Sequence, residues 1–344
     1  MLYVDASDAK TFAYFIGTDG LVTKIDTDVN TIISSSKLEK SSYVQEGQKS
    51  VIVDKVNNYL FVVTGRLTPT IYIYDLKTLK FVKDLGIVSG NPDVDILASP
   101  NGKQLFINWF DSKEKGWRFD LYDAKNLSLF SHLTDFVWGP ITTFSSDGTK
   151  IYMYHNKKIE VYETTNFTLL DTIDLNTVWK TDGFLSGIED YKNEKILIRE
   201  TKIVSQDSPP EISYFVYDLK SKTSSPRITT KVAGNTKLSP TGTRIFISDE
   251  ESVWSTDKTY VMYHKSLGQL YAYDVTTGNK VGSVQFTVDR ESSIIGIHPN
   301  GTMVYIKGNI AGVNSLIVMD IVNFKVVKTM EIPNTVLFMI FFEE

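Results

Sequence analysis

One short segment returns along this chain at a nearly fixed interval, and that repetition limits what the chain can fold into. It reads SPNGKQLFI from Ser99, SSDGTKIYM from Ser145, SPTGTRIFI from Ser239 and HPNGTMVYI from His298. Weaker copies are VDKVNNYLFV from Val53, EDYKNEKILI from Glu189 and VDASDAKTFAYF from Val4. Pro fixes φ, Asn or Asp bonds back to its own backbone and Gly tolerates φ > 0, so the first half of the segment is a tight turn. The alternating large apolar residues that follow have strand propensity. The unit is therefore strand, turn, strand. Taking the first apolar residue after each turn as Phe12, Leu60, Leu105, Ile151, Ile196, Ile245 and Val304, the separations are 48, 45, 46, 45, 49 and 59 residues.

A second motif keeps the same register. It reads IYIYDLKTLK at Ile71, FDLYDAKNLS at Phe119, IEVYETTNFT at Ile159, YFVYDLKSKT at Tyr214, LYAYDVTTGN at Leu270 and LIVMDIVNFK at Leu316, with VTKIDTDVN at Val22 as the first copy. Its closing acids are Asp26, Asp75, Asp123, Glu163, Asp218, Asp274 and Asp320. Both motifs count seven. A period near 45 residues, with two-residue alternation and no helical stripe, predicts an all-β, seven-bladed β-propeller of four-stranded antiparallel blades, with residues 1–344 as a single domain. Calling the strands a to d from the axis outward, the turn motif joins a to b, and c ends at the acid. An Asx-type bond from that acid is expected to close each c–d hairpin. An open ring would leave two sheet edges unpaired, so the last strand, residues 335–342, is expected to pair into the first blade beside Phe12. Residues 1–4 compete for the same place.

Composition removes several classes of function. The net charge is −5 with both signs interspersed, which leaves no field for a phosphate backbone, so nucleic acid is not an expected partner. No window approaches the roughly 18 consecutive apolar residues of a membrane helix. The absence of cysteine removes disulfides, thiolate metal sites and a Cys nucleophile. The N-terminus lacks a basic start and apolar h-region, so the expected compartment is cytoplasmic, or periplasmic or secreted if a signal peptide was removed before Met1. Three sequons, at Asn126, Asn166 and Asn300, are compatible with export.

Over the whole chain these repeats resemble the YVTN-type seven-bladed propellers. A narrower set of segments is similar to the propeller (beta) subunit of quinohaemoprotein amine dehydrogenases. That family has a blade whose b and c strands are separated by a long proline-containing segment, matched here by IRETKIVSQDSPPEISYFVYDL at residues 198–219 after NTVWKTDGF. It also ends in an apolar strand with an acidic tail, as in NTVLFMIFFEE. The resemblance implies a docking platform whose redox cofactor lies in other subunits, and so no cofactor in this chain. A likeness to lactonase-type propellers at HPNG fails on its neighbours. The Arg-His pair of that pattern is replaced by Ser-Ile-Ile-Gly-Ile, and His298 holds a slot that Ser fills in three other blades, which makes it a turn cap.

The b–c and d–a connections share one face of a propeller, and only there do the repeats diverge. Blade four needs about three residues between b and c, whereas blade three inserts NWFDSKEKG, blade five RETKIVSQDSPPE and blade six the 21 residues 248–268. Extra backbone on one face is what a docking site or ligand cleft requires. The binding candidates on it are Trp109, Trp117, Trp138, Trp179, Asp182, Arg199, Glu200, Trp254 and Arg290. No catalytic residue is assigned, because no nucleophile elbow, phosphate loop or dinucleotide fingerprint occurs. No metal site is expected either: His132, His155, His264 and His298 fall in separate blades, and Asp249–Glu251 lacks a calcium-loop pattern. The expected role is a non-catalytic scaffold that binds a protein partner or joins a redox complex. The alternatives are a small-molecule enzyme, hydrolase or lyase, with Arg199, Glu200, Asp182 and Arg290 meeting at the channel mouth, and a carbohydrate or peptide binder that uses the tryptophans.

Overall fold

The structure is a computed structural model that describes residues 10–41, 43–45, 50–65, 69–87, 94–111, 115–136, 141–155, 157–178, 184–192, 194–202, 211–230, 234–254, 261–289, 292–333 and 336–343. Seven antiparallel sheets follow one another in chain order, each with its strands in the path a-b-c-d. Blade two is typical, with Val51–Asp54, Tyr59–Thr64, Thr70–Asp75 and Phe81–Ile87. Blade one is assembled from both ends of the chain. Its inner strand is Val336–Glu343, which pairs with Thr11–Gly17 in a register that sets Phe12 opposite Phe342 and Phe15 opposite Met339. The ring therefore closes through the C-terminal strand. Among the described residues the helical content is one turn, Leu175–Val178, and no helix is long and apolar enough to cross a membrane.

The two-residue alternation places each strand's apolar side chains toward its two neighbouring blades. The result is seven separate apolar cores, one at each blade interface. Phe61, Val63, Ile71 and Ile73 of blade two meet Val94, Ile96, Leu105 and Ile107 of blade three. The seam between blades seven and one is filled by Tyr305, Leu316 and Val318 against Ala13, Phe15 and Met339. The strand register also moves the first marker by one residue. Phe12 pairs with Asp26 as Tyr59 pairs with Asp75, so the equivalent of Leu60 is Ala13. Phe12 stacks on Phe342 at 5.8 Å, and Lys24 Nζ lies 4.1 Å from its ring centre, so its size serves ring closure rather than the repeat.

The turns on one face are locked together. Asp75, Asp123, Asp218, Asp274, Asp320 and Asp26 each accept backbone N–H groups two or three residues on, as in Thr78 N to Asp75 Oδ1 at 2.7 Å. In blade four, where the acid is Glu163, Asn166 Oδ1 takes the Thr168 N–H instead. The residue four after each acid (Asn30, Leu79, Leu127, Phe167, Lys222, Gly278, Phe324) has φ between +50° and +72°. The residue just after each acid is buried and in blades two to seven donates its N–H to the a–b turn, as Leu76 to Asn58 O at 2.9 Å and Ala124 to Lys103 O at 2.9 Å, while in blade one Thr27 donates to Thr11 O at the start of strand b. Neighbouring a–b turns also touch, with Asn57 Nδ2 donating to Gly102 O at 2.7 Å and Asn101 Nδ2 to Asp147 O at 2.8 Å. His298 caps its turn as expected, its Nδ1 accepting the Asn300 N–H at 3.3 Å.

The outer strands carry a common irregularity. In six blades the c–d ladder skips one residue near the start of d, leaving Ile33, Val82, Phe130, Leu170, Val281 and Val327 between pairs and exposed. A bulge that twists an edge strand hinders pairing with another sheet. Blade five uses proline instead. Its outer strand is split into Thr223–Ser224 and Ile228–Thr230 around Pro226, a residue that sheets tolerate at edges.

Candidate docking face

On the opposite face the described part of each insertion is paired strand where the sequence suggested loop. In blade three, b runs Gln104–Asp111 and c starts at Gly116, so Asn108, Trp109, Phe110 and Asp111 are paired residues. In blade five, b continues through Arg199 and Glu200 to Lys202, and c resumes at Glu211. In blade six, Arg244–Trp254 and Val261–Asp274 pair from Arg244↔Asp274 out to Trp254↔Val261. Strand a of that blade stops at Thr236, opposite Ile247, and d stops at Gln285, opposite Gln269. The outer half of the blade-six ribbon thus stands above its sheet. Blade four, by contrast, turns directly from His155 to Lys158. Alternating strand residues continued past the usual end of b, and nothing local in the sequence separates such a ribbon from a loop.

Each of these three b–c pairs holds a buried carboxylate. Asp120, with its side chain 7% exposed, accepts Trp109 Nε1 at 2.8 Å on one oxygen and Arg118 Nε at 2.7 Å on the other. The Arg118 guanidinium sits 5.4 Å from the Trp109 ring centre. Glu200, 4% exposed, is paired with Arg227 at 3.1 Å, so the residue that follows Pro226 in the broken outer strand reaches back to strand b. Asp249 is buried beside Tyr271, whose phenol is pushed up by burial first and then by that carboxylate. A buried carboxylate is tolerated only when its oxygens are bonded, and each of these fixes a contact within its blade. Asp120, Arg118, Arg227 and Tyr271 escaped the sequence analysis. The one available signal was the charged pair in RFD, which breaks the apolar alternation of strand c.

The candidate residues do not share one pocket. Trp109 packs in the core toward blade two, while Trp117, on the other side of the same ribbon, meets Phe110 edge-to-face at 5.9 Å and packs toward blade four. Arg199 and Glu200 are successive strand residues and so point to opposite sides: Leu197 and Tyr214, on the Arg199 side, belong to the core with blade six, and Ile196 and Ile198, on the Glu200 side, to the core with blade four. Both sit on strand b, one strand removed from the axis. Trp254 is placed by its backbone at the outermost pair of the blade-six ribbon. Trp138, Trp179, Asp182 and Arg290 lie outside the described residues. Among the described residues no group of three His, Asp or Glu could hold a metal ion.

A dihydro-haem d1 dehydrogenase, NirN, solved in complex with DHE, superposes on this chain with a TM-score of 0.56 at 14% identity, covering 98% of this chain and 76% of that one. A functionally unknown protein from Desulfotomaculum acetoxidans gives 0.60 at 12% identity, with 96% and 98% covered. Hydrazine synthase from Kuenenia stuttgartiensis gives 0.59 at 11% identity, with 93% and 99% covered. The likeness is one of fold. No protein-family model matches the sequence, and no curated protein sequence does. A propeller of this kind carries many unrelated functions, so the fold by itself assigns none.

Proposed function

We propose that the chain is a non-catalytic propeller scaffold of YVTN type that docks a protein partner through the ribbon face, as a subunit of a redox complex like that of the amine dehydrogenases. One observation carries the reading. The enlarged b–c connection of blade six rises from this face as a ribbon paired out to Trp254↔Val261, past the ends of its strands a and d and with the buried Asp249 at its base, while the other face is tied turn to turn. Rigid ribbons present a fixed surface at low ordering cost, which suits protein recognition. The propeller likeness to two proteins with redox names, NirN and hydrazine synthase, supports the choice of partner class. The divergence of Arg199 and Glu200 speaks against acid–base work at the channel mouth. Trp117 and Trp254 are the aromatic anchors of this reading.

The test is purification of the tagged chain from its native source, beside a variant in which residues 249–267 are replaced by Asn-Gly. The wild type is expected to bring down a partner in stoichiometric amount and to cross-link to it from the ribbon face, and the variant to lose the partner with its melting transition retained. A wild-type chain that elutes alone as a monomer at physiological concentration overturns the proposal. A variant that keeps the partner in full removes the assignment to this face.

A further inference from the structure

The seam that closes the ring is capped by the one residue of its kind that can take up a proton near neutral pH. In blades three, four and six the first position of the a–b turn is Ser99, Ser145 or Ser239, whose hydroxyls accept the Gln104, Lys150 and Arg244 N–H at 2.8, 2.9 and 3.0 Å. In blade seven it is His298, 7% exposed, and its ring is bonded at both nitrogens. Nδ1 accepts the Asn300 N–H at 3.3 Å. Nε2 lies 3.2 Å from Thr27 Oγ1 in blade one, and Thr27 spends its own hydroxyl proton on Thr11 O at 2.6 Å. Thr27 Oγ1 is therefore the acceptor, and Nε2 carries the hydrogen. This network fixes a neutral imidazole in the Nε2–H tautomer. The edge of Phe341, from the closing strand Val336–Glu343, packs on the same ring at 5.8 Å.

We infer that His298 is a proton-sensitive latch on ring closure, released when Nδ1 is protonated. An added proton there sets a donor against the Asn300 N–H and places a charge in a buried seam. Beside this seam, inside blade one, the ring has no covalent continuity: the inner strand Val336–Glu343 follows blade seven along the chain and joins Thr11–Gly17 only by pairing. The packed elements carry further charged and titratable groups, among them Asp28, next to Thr27, whose charge acts on Tyr305. In blade one, Lys10 lies 3.9 Å from Asp26, and Asp26 accepts the Asp28 and Val29 N–H. In blade seven, Lys328 donates to Asn30 O at 2.7 Å and Tyr305 to Asn30 Oδ1 at 3.2 Å. The closing strand contributes Glu343. The neutral ring is the form the fold holds, so the latch is intact above the ordinary histidine range and lost as pH falls through it, the ordinary value being about 6.5.

Hydrogen exchange of the whole chain at pH 7.5 and pH 5, corrected for intrinsic rates, tests this together with His298→Ser, the residue that three other blades use. In the wild type, protection of residues 11–17 and 336–343 is expected to fall by about tenfold or more relative to the c strands of blades three and four. In the variant the two regions are expected to keep their ratio. Equal behaviour of wild type and variant overturns the inference, as does a loss spread evenly over all blades. Should the variant fail to fold, the nitrogen chemical shifts of His298 in the wild type decide: the Nε2–H tautomer at pH 7.5 is required, and an imidazolium or the Nδ1–H form refutes the latch.

Discussion

Gly102 and Gly301 occupy the same turn position, and the space around them differs. Both have φ near +70°, where an L side chain is strained. A Cβ on Gly102 would stand 2.4 Å from Val56 Cβ of blade two, whereas a Cβ on Gly301 would meet nothing nearer than Pro240 Cδ at 3.9 Å. Gly301→Ala is therefore expected to cost about 1 kcal/mol of strain, and Gly102→Ala at least twice that, because the neighbouring blade must also move; urea midpoints of the two variants check the order. Acid should act on the same face. Asp147 is held down to about 2, from 3.8, by the Ser145 hydroxyl and the Thr149 N–H and hydroxyl. Asp75 and Asp274 are lowered chiefly by the N–H of Thr78 and Thr277, and Asp320 by the Asn323 side chain. Their folded forms favour the carboxylate, so this stability is present above about pH 4 and lost as pH falls toward 2. Asp147→Asn keeps the turn, as Asn101 and Asn300 do in the same slot, so its urea midpoint should match the wild type at pH 7 and fall less steeply below pH 4.

At the scale of the element, a ribbon that leaves its sheet keeps only one neighbour strand per residue, and an isolated two-stranded hairpin is marginal in water. Blade six has such a ribbon, with Asp249 buried at its base, whereas the buried carboxylates of blades three and five tie strands within the sheet. Asp120 holds Trp109 and Arg118 together across strands b and c of blade three. Asp120→Ala leaves an indole N–H and a guanidinium without their acceptor in a largely buried site, and a loss of about 3 kcal/mol is expected. Chemical denaturation measures it. A loss under about 0.5 kcal/mol would show that strands b and c of blade three hold without this carboxylate. The outer strands need no such device, because their bulges and Pro226 already spoil the edge for a second sheet.

The whole molecule depends on one non-covalent closure. Met339 and Phe342 of the closing strand are buried, and their side chains alone contribute about 1.5–3 kcal/mol each. With the ladder from Thr11↔Glu343 to Ile16↔Phe338 added, deletion from residue 334 onward removes an amount comparable with the 5–15 kcal/mol net stability of a typical domain. The truncated chain is expected to aggregate, since blade one would present Thr11–Gly17 as an open edge. Light scattering and a thermal melt check this, and a soluble truncation with a cooperative melt would show that the ring holds without that strand.

The blade count, the turn chemistry and the closing strand were legible in the residues, because each depends on neighbours a few positions away or on a period that survives any local substitution. A Pro-Asn-Gly turn or an acid four residues before a left-handed residue acts wherever it sits. The register of blade one misled at Phe12, since an aromatic placed there to stack on a strand more than 300 residues away looks the same as one placed for the repeat. The candidate face was found only in outline. Chain length between b and c marks an insertion, but whether it pairs on itself depends on what its far end meets. Adjacent residues such as Arg199 and Glu200 read as a pair in sequence, and strand geometry sends them to different interfaces. The partners of Asp120, Glu200 and His298 came only from the tertiary structure, because hydrogen bonds between strands and between blades join residues whose separation along the chain has no rule.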